Sequence, residues 1–182
     1  MNSHQKEIIP LKRDCEATEI PSGRKIQLYK GTELILLQSV GGSFTVMTHL
    51  GEMSSIAGQE ADALGKEVPA EARPDTAAGQ TVEERVWKQL KTCYDPEIPH
   101  NIVDLGLVYE CKLTALEGES QKVDIKMTLT AAGCGMGEWL KQDVKNKVLS
   151  ISQIKECNVD VVFDPPWDRS KMHPALRREL GY

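Results

Sequence analysis

The chain has 182 residues, 40% of them hydrophobic and 27% charged, enough for one full domain with a small one beside it or for a single larger domain. A net charge of −5 argues against nonspecific nucleic-acid binding, which relies on a basic face, and no run of about 18 apolar residues exists to span a membrane. Five cysteines, an odd number without CxxC spacing, fit reduced thiols better than a disulfide framework. The N-terminus to Arg13 is broken by Lys6, Glu7, Lys12 and Arg13 and lacks the apolar centre of a signal peptide, so a cytoplasmic location is expected.

In chain order, three strand-like runs come first: Lys25 to Tyr29, the continuous apolar run Glu33 to Val40, and Phe44 to His49. Ser22-Gly23, Gly31 and Gly41-Gly42 punctuate them as turns, which predicts a small β meander within residues 1–56. Residues 57–80 carry seven alanines, three glycines and two prolines, with Leu64 and Val68 as the sizeable apolar residues. So little apolar surface does not offset the ordering of a backbone, and the segment reads as a linker. The alternative there is a short surface helix around Glu60 to Lys66.

From Thr81 the pattern becomes mixed. Thr81 followed by Glu83-Glu84 starts a helix with Val82, Val86 and Leu90 on one face, ending before Asp95 because Pro96 excludes the helical region at the residue before it. Leu107 to Leu113 alternates as a strand. Lys122 to Thr130 alternates more cleanly, Val123, Ile125, Met127 and Leu129 against Lys122, Asp124, Lys126 and Thr128. A sheet wet on one face is expected to be largely antiparallel, with helices on the other face. Met136 to Ile151 stacks Met136, Leu140, Val144 and Val148 as a second helix. Val159, Val161 and Phe163 mark a further strand, and Pro174 to Leu180 a short last helix, capped by Asp168 or Ser170. Residues 81–182 thus read α-β-β-α-β-α, an α+β unit with helices packed on a small sheet.

Three stretches carry candidate chemistry. Cys134 stands in the glycine-flanked turn Gly133-Cys134-Gly135 before the second helix, where amide N–H groups and the helix dipole favour a thiolate. The alternative is a tight turn in which the cysteine fills a small space. Cys93, Cys111 and Cys157 share the apolar parity of their elements and read as core residues, whereas Cys15, in a charged leader, is open to a solvated or accessory-ligand role. Asp95 and Glu97, in a loop stiffened by Pro96 and Pro99, suit acid–base chemistry, a cation or a closed turn alike. Trp167, after Asp164-Pro165-Pro166, either seals the core or offers a flat anchor to a partner.

Taken in order, Asp95-Pro96-Glu97 with Ile102 to Val108, the threonine-rich strand end with Gly133-Cys134-Gly135, and Asp164-Pro165-Pro166-Trp167 resemble the motifs of PaaD-like iron–sulfur cluster assembly domains. The resemblance covers Thr81 to Tyr182, and the preceding half is similar to an N-terminal extension carried by some members. It implies an α+β assembly domain preceded by a small β-rich unit, acting in iron–sulfur protein maturation and not as an enzyme. By motif, Cys134 matches the family's reactive cysteine and a transient cluster ligand, Asp95 and Glu97 its acidic loop, and Thr130, Gly133 and Trp167 further binding positions. Gly135 departs from the proline that many relatives place there. A cluster takes four ligands, so one exposed thiol with Cys15 at best falls short. No stably bound cofactor is therefore expected, but a transient iron–sulfur cluster shared with a second chain or a client. The implied partners are iron–sulfur scaffold or carrier proteins, client apoproteins and a second copy, with no nucleic acid or membrane. The chain then serves as an adaptor or transient carrier working through an exposed cysteine. The rival readings are an interaction module without metal, and a thiol enzyme with Cys134 as nucleophile and His100 or His173 as base.

Overall fold

The computed structural model describes residues 7–73, 79–95, 98, 100–131 and 135–182. The chain divides into two units, Met1–Arg73 and Pro74–Tyr182.

The first unit has six strands where the sequence pattern predicts three: β1 Glu7–Pro10, β2 Cys15–Ile20, β3 Lys25–Leu28, β4 Glu33–Val40, β5 Ser43–Thr48 and β6 Met53–Ala57. They form one antiparallel sheet in the order β1-β4-β5-β6-β2-β3. The additional strands escape a hydrophobicity pattern because their inward residues are small or polar. In β2 the buried positions include Cys15 and Ala17, and in β6 they include Ser54 and Ser55. Leu34, Phe44, Val46 and Ile56 supply the large buried side chains of this core. Here Cys15 is a packed residue, 3% exposed, which removes it as a solvated thiol or accessory ligand.

The segment expected to be a linker also differs. Gly58–Leu64 is a 3-10 helix that buries Ala61, Ala63 and Leu64 in the core of the first unit, and Ala70–Ala72 forms a second 3-10 turn. Alanine is small enough to pack flat against the sheet, and Gly58 permits the closest approach. A Cβ there would lie 2.2 Å from the Gly42 carbonyl oxygen and 2.4 Å from the Ala72 Cβ. Arg13 fastens the helix from outside through ion pairs to Glu60 and Asp62.

The second unit runs α1 Val82–Leu90, β7 Val108–Ala115, β8 Gln121–Met127, α2 Gly137–Leu149, β9 Ile154–Val161 and α3 Pro174–Glu179, the predicted α-β-β-α-β-α order. Thr81 closes a capping box with Glu84 at the start of α1, as its spacing implies. The fold is α+β, and antiparallel pairing prevails in it. The exception among the described strands is β8 with β9, which run parallel because the helical crossover α2 joins them. Val123, Ile125 and Met127 of β8 are buried, as are Val86 and Leu90 of α1 and Leu140, Val144 and Val148 of α2. The opposite face is charged, with Glu110, Lys126 and Asp160 in one row and Lys112, Asp124 and Asn158 in the next. Pro174 opens α3, but His173 caps it, its Nδ1 accepting the Ala175 amide at 3.3 Å. Asp168, expected as that cap, instead accepts the Ser170 amide one turn earlier, in the 3-10 segment Arg169–Lys171. No helix among the described residues is long and apolar enough to cross a membrane.

Candidate functional site

Asp95 follows the end of α1, in a loop tied back on itself. Tyr94 bridges to Asn101, the Asp95 amide donates to the His100 carbonyl at 3.0 Å, and the Ile102 amide to the Cys93 carbonyl at 2.9 Å. Asp95 is buried, only 4% exposed. Its Oδ1 accepts the Ile98 amide at 2.8 Å, and the Thr130 hydroxyl approaches its Oδ2 at 3.3 Å. Two of the expected binding residues, 35 positions apart in sequence, thus meet where the end of β8 passes the loop.

The chain leaves this loop through a turn that Asn101 organises. Its Oδ1 accepts the amides of Val103 and Asp104 at 3.1 and 2.9 Å, and its Nδ2 donates to Asp104 Oδ2 at 2.7 Å. The C-terminal segment straps across that turn. Trp167, half-buried, donates its indole N–H to the Leu105 carbonyl at 2.8 Å, and the His173 amide donates to the Asp104 carbonyl at 2.7 Å. Tyr109 donates its hydroxyl to the Pro165 carbonyl at 2.8 Å, and Lys171 stacks over the Tyr109 ring at 4.4 Å. Trp167 therefore anchors the strap, with part of its surface left open. Asn101 and Gly106 are organising residues that the sequence reading passed over. An Asn three residues before an Asp, ahead of a glycine, was the available signal.

The thiols answer differently from expectation. Cys93 and Cys157 are buried and Cys111 is half-buried, in line with their parity, and Cys15 is buried too. Burial raises all four: Cys111 and Cys157 are pushed up to about 11, and Cys93 and Cys15 move in the same direction. A function exerted through an exposed cysteine is thus not supported, because every described thiol is withdrawn from solvent and held protonated. Cys134, Gly133 and Glu97 lie outside the described residues. His173 Nδ1 is occupied as a helix cap, which weakens its candidacy as a general base. Among the described residues, no group of three or more His, Cys, Asp and Glu side chains is arranged to hold a metal ion.

The thiol environments set a measurable expectation. A rise from 9.0 to about 11 leaves roughly a hundredfold less thiolate at pH 8. Iodoacetamide labelling of native protein at pH 8, read by peptide mapping, should leave Cys15, Cys93, Cys111 and Cys157 largely unmodified. The same thiols should label fully once guanidinium unfolds the chain. Rapid native labelling at Cys111 or Cys157 would contradict these environments.

This α+β unit matches the model of the iron–sulfur cluster assembly protein family over residues 83–161, a span that includes Asp95 and Thr130. A Porphyromonas gingivalis Fe–S protein maturation auxiliary factor is 38% identical over 100 residues, covering 55% of this chain and 91% of that protein. The Staphylococcus aureus Fe–S protein maturation auxiliary factor SufT is 34% identical over 87 residues, covering 48% of this chain and 94% of its own length. The crystal structure of a domain of unknown function from Bacillus anthracis, 35% identical, covers 55% of this chain and 92% of that one with a TM-score of 0.48. The chain belongs to the PaaD/SufT-like family of Fe–S cluster assembly auxiliary factors. The segment matched by the family model lies within the second unit.

Proposed function

We propose that the second unit is a docking adaptor in iron–sulfur protein maturation, an auxiliary and not an enzymatic role. It engages iron–sulfur scaffold or carrier proteins on one side and client apoproteins on the other. Thr130 and Trp167 present the docking surface, and buried Asp95 fixes the loop behind Thr130; the family motifs add Glu97 and Gly133 as further binding positions. The observation that carries this reading is the Asp95–Thr130 contact, an aspartate kept 4% exposed by a loop whose backbone is hydrogen-bonded around it. Holding a carboxylate with so little water around it is costly, and a purely structural turn has cheaper solutions. The tryptophan strap beside it supplies the kind of rigid aromatic anchor that dominates protein interfaces. The cluster is cargo passing between partners and not a resident cofactor.

The test uses the full chain in a strain lacking it, scored by the activity of an iron–sulfur enzyme and by capture of a scaffold protein. Asp95→Asn keeps the side-chain shape and an acceptor for the Ile98 amide, and should lower client activity toward the deletion level with the melting temperature little changed. Trp167→Phe loses the bond to the Leu105 carbonyl, costs about 1 kcal/mol of stability, and should weaken scaffold capture. Wild-type client activity and capture in both variants would overturn the reading.

A further inference from the structure

We propose that Lys147 is a positioning residue for the Asp95 loop: from α2 it holds the carbonyl at which the chain leaves α1. The inference rests on the docking reading for its functional weight, while its structural content is tested separately below.

Lys147 lies one turn after Asp143, on the side of α2 next to Val144 and Val148, which face the core. Only 15% of its side-chain surface and 12% of that of Asp143 are exposed. Its ammonium donates to Asp143 Oδ2 at 2.9 Å and to the Thr92 carbonyl at 2.8 Å. Thr92 is the second residue beyond the last turn of α1 and stands three residues before Asp95. The carbonyls of Gln89 and Leu90 are satisfied locally. Gln89 receives the Thr92 amide at 2.9 Å, the Thr92 hydroxyl at 2.7 Å and the Cys93 thiol at 3.6 Å, and Leu90 receives the Cys93 amide at 3.1 Å. The Thr92 carbonyl lies two residues beyond Leu90, and the group that meets it comes from another helix. A cation there also complements the negative end of the α1 dipole.

From that point the hydrogen bonds continue without a break. The Cys93 carbonyl receives Ile102, Tyr94 pairs with Asn101, Asp95 donates to His100, and the Asp95 carboxylate takes Ile98 and Thr130. Moving the Thr92 carbonyl would tilt the first member of this set and carry Asp95 with it. Apolar residues of similar volume would fill the space between the helices at least as stably as a withdrawn ion pair. What they would not supply is a donor aimed at a loop carbonyl. Asp143 serves the lysine by keeping it charged and oriented, and so acts on the loop at one remove.

The test compares local with global protection in the intact chain. Asp143→Leu with Lys147→Met removes both charges together and leaves no stranded ion, so the unit stays folded. Amide hydrogen exchange, read by NMR, should show Ile98 and Ile102 exchanging at least tenfold faster, with the Ile125 amide in β8 changed by less than twofold. Lys147→Arg, which keeps a cationic donor, should restore most of the loop protection. A side chain that merely stabilises the fold would speed loop and β8 amides by one common factor, and that result, or unchanged loop exchange, would overturn the inference. If the double variant loses its β8 protection, Lys147→Gln, which leaves Asp143 a donor but falls short of Thr92, serves for the same comparison. Faster loop exchange with full client-enzyme activity would uphold Lys147 as the clamp and instead count against the loop as the docking surface.

Discussion

Gly106→Ala is expected to cost the second unit about 3 kcal/mol and to release its C-terminal strap. Gly106 has φ +69°, a conformation that L side chains seldom adopt, and an added Cβ would lie 2.0 Å from the Lys171 carbonyl oxygen and 2.6 Å from its carbon. The atoms it meets are backbone, so relief requires the strap itself to move. The turn is held by Asn101 bonding the amides of Val103 and Asp104, and the strap is held by Trp167 on the Leu105 carbonyl and His173 on the Asp104 carbonyl. The left-handed conformation costs a β-carbon roughly 1–2 kcal/mol. Lifting the strap to relieve the clash forfeits two hydrogen bonds worth about 1 kcal/mol each. Urea unfolding should show the lower stability, and limited trypsin digestion should reach Arg169, Lys171 and Arg177 sooner than in the parent. Unchanged stability together with a protected strap would mean that the turn and the strap are not in this contact. Because the same turn follows the Asp95 loop, the variant should also lose scaffold capture, more severely than Trp167→Phe.

How far the sequence revealed this depends on which residues face the core. The β8 alternation was legible because Val123, Ile125 and Met127 are large and their neighbours charged, with one face wet. The start of α1 was legible because Thr81 and Glu84 make a local capping box that needs no tertiary information. In the first unit the same logic had little to work on. β2 turns Cys15 and Ala17 inward, β6 buries two serines, and Gly58–Leu64 packs alanines, so composition suggested a linker where there is core. The parallel pairing of β9 is a property of connection and not of composition. In the site, the family motifs marked Asp95 and Thr130 as binding positions, but their proximity was not legible, since contact across 35 residues depends on how β8 packs against the loop. Lys147 was hidden for a different reason: a charged residue among the polar positions of α2 looks solvated until the end of α1 is seen beside it.

The same ion pair yields the second large effect. Asp143→Ala should lower stability by about 3 kcal/mol at pH 7, because it leaves the Lys147 ammonium in a largely closed space, donating to the Thr92 carbonyl without its carboxylate partner. The pH dependence separates this cause from lost packing. In the parent, burial pulls the Lys147 pKa down, but opposing influences led by the Asp143 carboxylate outweigh it and the pKa is raised from 10.5. A raised folded pKa contributes stability that is complete below about pH 10.5 and is lost only as the pH climbs through the folded value. Without Asp143, burial, already the largest single influence, loses its main opponent, and the folded pKa is expected to fall below the unfolded one. The penalty of the buried charge is then complete at low pH and relaxes as the lysine gives up its proton. Urea unfolding of parent and variant at pH 7, 8.5 and 10 should therefore show a gap that narrows as the pH rises, groups common to both cancelling in the difference. A gap of constant size across that range would assign the loss to packing alone. It would also mean that Lys147 reaches water once its partner is gone, a freedom incompatible with a lysine that fixes where the loop begins.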